Sequence, residues 1–199
     1  MSRPAVFLDR DGTVCEEVGH VTSLSLCRLL PRSAAAIRAL NQAGWPVFIV
    51  TNQSGVARGL FEESLVHEVH RWLRRSLAEQ GAGLDGIYHC PHHPEAGEPP
   101  WRQACDCRKP LPGMLIRAAA DHGLDLPASY LIGDSLRDLE AARGAGASGI
   151  LVLTGHGALA HRRSLAGEGP PPRHVAADLA GAVAWILGRE RKGSREAAG

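Results

Sequence analysis

Short apolar runs alternate with amphipathic stretches along almost the whole of this sequence, and that alternation limits the fold more than any other feature. Residues 5–8, 46–50, 86–89, 130–132 and 150–153 each read as a buried strand. Between them, residues 33–43 carry apolar side chains at helical spacing and stop at Gly44. Residues 62–80 place Leu65, Val69, Trp72, Leu73 and Leu77 on one stripe before Gly81. Residues 112–122 and 136–145 read as two further helices, and a last one lies near 178–187. Strands that are apolar throughout need cover on both faces, so the pattern predicts an α/β chain with a three-layer, doubly wound parallel sheet. Residues 1–188 are expected to form a single domain, with 161–174 a loose connection and the polar stretch 189–199 a disordered tail.

Charge narrows the partners. Lys and Arg total 22 against 21 Asp and Glu, a net charge of +1, which supplies no field for nucleic acid or an anionic membrane. No apolar run approaches the roughly 20 residues of a membrane span, and the opening residues meet charge at Asp9, too early for an export signal. Five cysteines without such a signal suit a reducing cytoplasm rather than a disulfide framework. A cytoplasmic monomer acting on a small molecule is expected. Among the basic residues only Lys109 and Lys192 are lysines, which suggests that Lys109 stands where a compact ammonium is wanted.

In a parallel sheet, ligands bind beyond the carboxyl ends of the strands, and the unusual polar residues of this chain fall there. The first strand runs into Asp9-Arg10-Asp11-Gly12-Thr13, two carboxylates that can face one crevice, one to attack or bind metal and the other to move a proton. A solvated Asp-Gly turn is the plainer reading, and a calcium loop is excluded because its glycine position holds Val14. The second strand ends in Thr51-Asn52-Gln53-Ser54-Gly55, neutral donors that suit phosphate oxygens or simply cap a helix. The fourth ends in Gly133-Asp134-Ser135, with Asp138 beyond, where Asp134 can complete an oxygen-ligand Mg²⁺ site or serve as an N-cap. Recurrence at the right end of three separate strands favours chemistry over the plainer readings.

Between the third strand and the next helix lies a long polar excursion, 89–109. Cys90-Pro91-His92-His93 and Cys105-Asp106-Cys107 supply three thiols and an imidazole in two tight pairs, a set that suits tetrahedral Zn²⁺. By spacing alone His93 or His89 could replace His92 as the ligand, and redox thiols are the alternative. The spacings differ from those of a nucleic-acid finger. Cys15 and Cys27 read as ordinary buried thiols, and His67 and His70 as decoration of the second helix.

These residues resemble the haloacid dehalogenase superfamily of phosphotransferases, whose pattern is Asp-x-Asp-Gly-Thr, a Thr or Ser after the second strand, a Lys, and Gly-Asp-x-x-x-Asp. The resemblance runs from Val6 to about Thr154. It implies a Rossmann-like fold, Asp9 as nucleophile forming an aspartyl-phosphate, and Asp11 as general acid and then base. It also implies Mg²⁺ held by the Asp9 carboxylate, the Asp11 main-chain carbonyl and Asp134, with Thr51 and Lys109 on the phosphoryl oxygens. The strings Cys-Pro-His-His-Pro, Cys-Asp-Cys-Arg-Lys-Pro and Thr-Asn-Gln-Ser-Gly-Val-Ala-Arg-Gly are similar to the heptose 1,7-bisphosphate phosphatase family, which lacks a large cap domain. That family removes the C7 phosphate of a phosphorylated sugar on the way to lipopolysaccharide. The similarity implies a structural Zn²⁺ on Cys90, His92, Cys105 and Cys107, and substrate contacts from Arg10, Glu17, Val18, Gly19, His20, Asn52, Gln53, Ser54, Arg108 and Ser135. Ser135, where some relatives carry Lys, and Glu17-Val18-Gly19-His20, where some carry Asp-His-Gly-Tyr, bear on anomer preference rather than on the chemistry. Histidinol-phosphate phosphatase, a sister family, and a non-catalytic zinc-stabilised binding protein are the alternatives.

Overall fold

A computed structural model describes residues 2–196. Six strands form one parallel sheet in the order β3-β2-β1-β4-β5-β6. They are β1 (Val6–Leu8), β2 (Val47–Asn52), β3 (Gly86–Cys90), β4 (Tyr130–Gly133), β5 (Ser148–Val152) and β6 (His174–Ala176). The order reverses at β1, which pairs with β2 on one side (Phe7 beside Phe48) and β4 on the other (Phe7 beside Leu131). The crevice of such a sheet opens beyond the ends of β1 and β4.

Both faces are covered, as the unbroken apolar strands require. Val6, Leu8, Val47 and Ile49 pack with Ile37 and Leu40 of α1 (Ser33–Gln42), Leu73 and Leu77 of α2 (Glu63–Ala78), and Val183 and Ile186 of α6 (Leu179–Glu196). On the opposite face Phe7, Phe48 and Val50 meet Met114, Leu115 and Ala118 of α3 (Gly113–His122) and Ala141 and Ala142 of α4 (Leu136–Gly144). Successive residues of β1 thus serve opposite layers, as a period of two demands. No helix of the described residues is long and apolar enough to cross a membrane.

Three expectations need correction. The stretch read as a loose connection contains most of α5 (Gly157–Leu165) and the start of β6. Both signals are weak: α5 buries only Gly157 and Ala160, and β6 is three residues long. The helix α6 runs to Glu196, through much of the stretch expected as a disordered tail. Its Arg-Glu-Arg-Lys run favours helix, and Gly188 alone does not end it; residues 197–199 lie outside the described residues. His70 is no surface decoration: it is only 8% exposed. Cys15 and Cys27 are buried thiols, as expected.

Candidate active site

The ends of β1, β2 and β4 open into a cavity of about 300 Å³ lined by Asp9, Asp11, Thr51, Lys109 and Asp134 among others. Asp9 continues the β1–β4 ladder by one bond, its N–H donating to the Ile132 carbonyl at 2.9 Å. Its position is therefore set by the sheet. The Lys109 side chain is 2% exposed, and its Nζ lies 3.0 Å from Asp9 Oδ1 and 2.7 Å from Asp138 Oδ1, and donates to the Val50 carbonyl at 2.8 Å. Burial pulls the Lys109 pKa down, but Asp138 and Asp9 outweigh it and leave the ammonium firmly charged. Burial also pushes the Asp9 carboxyl up to about 7 against the pull of Lys109, with the Asp138, Asp134 and Asp11 charges adding to the rise.

Asp11 is oriented from two sides. Arg10 Nε and Nη2 donate to its two oxygens at 3.0 and 2.8 Å, and Gln53 Nε2 donates to Oδ2 at 2.9 Å. The same Gln53 amide reaches Thr51 Oγ1 at 2.9 Å, tying the phosphate-binding strand end to the proton-transfer carboxylate. Asn52 clamps the Lys109 backbone, donating from Nδ2 to its carbonyl and accepting from its N–H at Oδ1.

Asp134 sits in a cradle that excludes side chains. A Cβ on Gly12 (φ +78°) would stand 2.1 Å from Asp134 Oδ2, and one on Gly155 (φ +54°) 2.2 Å from it. The His156 N–H donates to that oxygen at 2.7 Å, and Thr154 Oγ1 donates to the Gly12 carbonyl at 2.6 Å. Burial lifts the Asp134 pKa to about 6, with the His156 N–H pulling the other way. Asp9, Asp134 and Asp138 offer oxygens within 4.8 Å of one another. Asp138 is committed, to Lys109 through Oδ1 and to the Ser135 N–H and hydroxyl through Oδ2. Asp9 and Asp134 remain facing the cavity, crowded and partly desolvated. That oxygen-only pair fits a hard cation such as Mg²⁺, which would relieve their repulsion.

A second cluster is built from the end of β3 and the loop that follows it. Cys90, His92, Cys105 and Cys107 gather their ligand atoms within 4.8 Å. Cys105 Sγ is 3.5 Å from Cys90 Sγ and 3.2 Å from Cys107 Sγ, and His92 Nδ1 is 3.5 Å from Cys107 Sγ. Thiolates about 2.3 Å from a tetrahedral zinc would stand about 3.8 Å apart, close to these separations. His93 and His89 are engaged elsewhere: His93 Nδ1 accepts from the Glu95 and Ala96 N–H groups, and His89 Nε2 pairs with Glu63. Hydrogen bonding to Cys90 and burial both push the Cys107 thiol pKa up, the strain of three thiols crowded together.

Of the residues expected to touch substrate, Glu17, Gly19, His20, Asn52, Gln53, Ser54, Arg108 and Ser135 line the cavity. Arg10 does not: it is 1% exposed, and its Nε and Nη2 are held by Asp11. Val18 also lies off the lining, 41% exposed. Sequence reasoning passed over Arg58, Arg137 and His156, which also line the cavity, and named Asp138 without giving it the role of anchoring Lys109. For Asp138 the signal existed, as the last position of Gly-Asp-x-x-x-Asp. The arginines carry no local signature.

A family model described as HAD-hydrolase-like matches residues 106–182. The D-glycero-β-D-manno-heptose-1,7-bisphosphate 7-phosphatase of Rhodopseudomonas palustris is 49% identical over 147 residues, covering 74% of this chain and 82% of that protein. The enzyme of the same name from Photorhabdus laumondii is 46% identical over 139 residues, covering 70% of this chain and 74% of that one. The chain belongs to the heptose bisphosphate phosphatase family. Membership makes it a phosphoric monoester hydrolase of the haloacid dehalogenase type. The crystal structure of a member of this heptose bisphosphate phosphatase family, from B. bronchiseptica, was determined with magnesium and phosphate. It superposes with a TM-score of 0.84 at 40% identity, covering 94% of this chain and 99% of that one.

Proposed function

We propose that this protein removes the C7 phosphate of D-glycero-β-D-manno-heptose 1,7-bisphosphate, leaving heptose 1-phosphate. The observation that carries the reading is the lining of the cavity: a carboxylate pair and a buried lysine together with Arg58, Arg108 and Arg137. Beyond the lysine that serves the reacting phosphoryl group, three guanidinium forks on the same cavity suit a second phosphate on one small substrate. The names of the relatives supply the sugar and its β configuration.

In this reading Asp9 attacks phosphorus through the oxygen facing the cavity, while its Oδ1 is held by Lys109 and by the Arg10 N–H. The ester oxygen leaves with a proton from Asp11, which Arg10 and Gln53 hold in place. Asp11 then takes a proton from the water that attacks the aspartyl-phosphate and releases inorganic phosphate. Lys109 and Thr51 hold the equatorial phosphoryl oxygens throughout. Asp9, Asp134 and the Asp11 carbonyl would hold a Mg²⁺, which when bound would neutralise charge at the transferring phosphoryl group. Cys90, His92, Cys105 and Cys107 would hold a Zn²⁺, which would order the loop that delivers Arg108 and Lys109, the next two residues in the chain.

The test is phosphate release in Mg²⁺ from the β and α anomers of heptose 1,7-bisphosphate and from histidinol phosphate at matched concentrations. The β anomer is expected to give the highest kcat/KM, with phosphate lost from C7. Preference for histidinol phosphate would keep the fold and nucleophile and reject the substrate.

A further inference from the structure

The pleat of β3 sends consecutive residues to opposite faces of the sheet. Cys90 points toward α3 and the thiol cluster, whereas His89 meets α2. There Glu63 and His67 stand one helical turn apart on the same face, and His70 one turn further on. Ligand atoms of Glu63, His67 and His89 all lie within 4.8 Å of one another. The Glu63 carboxylate already meets His89 Nε2 at 2.9 Å, and the His67 and His89 rings stand edge to face with centroids 5.3 Å apart. His70 supplies an independent sign. It is only 8% exposed, its Nε2 has no hydrogen-bond partner among the described residues, and its ring centroid is 5.3 Å from that of His89. Buried imidazole nitrogens are seldom left unpaired without a ligand or water to satisfy them.

We infer that Glu63, His67 and His89 form a second transition-metal site, separate from the thiol cluster and from the catalytic carboxylates. Two imidazoles and one carboxylate suit Zn²⁺, Co²⁺ or Ni²⁺ rather than Mg²⁺, whose preference is for oxygen alone. Three protein donors leave the fourth position to water, and His70, its ring centroid 5.3 Å from that of His89, is the neighbouring imidazole with a nitrogen free to bond it. His67 is exposed, so the ion has an open path from solvent. Bound there, it ties the first turns of α2 to the end of β3.

The readouts are metal content and absorption, so they stand apart from the phosphatase reading. The protein with its thiol cluster loaded and its catalytic carboxylates held by excess Mg²⁺, in parallel with Asp134→Asn to remove uptake there, is titrated with Zn²⁺, counting equivalents per chain, and with Co²⁺, following its visible bands. The expected result is one further equivalent in the wild type, arriving without added thiolate-to-metal charge transfer. H67A and E63Q should each weaken that equivalent at least ~10-fold while the charge-transfer band of the thiol site stays intact. The side chains changed are an exposed histidine and a partly exposed carboxylate, so folding is retained and checked by the thermal midpoint. No further equivalent in the wild type, or one of unchanged affinity in both variants, overturns the assignment.

Discussion

Asp9 and Asp134 each stand one residue beyond strands that pair in register, β1 with β4. Cys105 and Cys107 stand in a stretch that holds no regular strand or helix between Cys90 and Gly113. The sheet positions the first pair with backbone hydrogen bonds and an apolar core beneath, so the carboxylates can be held close together at the cost of raised pKa values. The second group lies outside the ladder: Cys105 and Cys107 pack against the edge of the core, and their loop is held by scattered turn bonds such as Gln103 N–H to the His93 carbonyl and Gly113 N–H to the Asp106 carbonyl. Arg108 and Lys109 join the two regions, and Asn52 grips the Lys109 backbone from the β2 side. Chemistry is thus supported by the sheet, and Lys109 is delivered to it by a loop that carries the Cys/His cluster.

The largest effect should come from the residues the sheet positions. Asp9→Asn removes the nucleophile, and turnover is expected to fall by about three to six orders of magnitude with little change in thermal midpoint. Near-normal turnover would undo the division of roles. Asp138→Ala should instead unsettle the junction. It leaves the buried Lys109 ammonium with Asp9 alone, so a loss of about 3–5 kcal/mol in denaturant unfolding is expected, together with reduced activity. Cys107→Ser probes the loop: kcat/KM should fall about 10- to 100-fold as zinc is lost, while the far-ultraviolet circular dichroism of the sheet and helices is kept. Collapse of the whole fold would mean that the regions are not separable. The smallest of these changes is Gly155→Ala. Its Cβ would press on Asp134 Oδ2, and weaker Mg²⁺ activation, by about tenfold, is expected with zinc content unchanged.

The same contrast explains what could be read in advance. Asp9, Asp11, Thr51 and Asp134 were legible because each follows a run of buried residues, and a parallel sheet brings such ends together. The pairing of Lys109 with Asp138 was not, since it joins a loop to a helix through space and neither residue advertises the other. Arg10 looked like a substrate contact because arginine beside a catalytic Asp is ambiguous in one dimension. Only its burial shows the fork closing on Asp11. His92, His93 and His89 could not be separated by spacing. Geometry separates them, because His93 is consumed by its own turn and His89 faces the other side of β3. The α5 helix and β6 escaped notice because each buries little.

Acid-quenched single-turnover reaction with heptose 1,7-bisphosphate, followed by peptide mass spectrometry, tests the central claim most directly. The account predicts a transient phosphoryl adduct on the peptide carrying Asp9, longer-lived in Asp11→Asn and absent in Asp9→Asn. An adduct on another residue, or full phosphate release with no phosphoenzyme in either the wild type or Asp11→Asn, would contradict it.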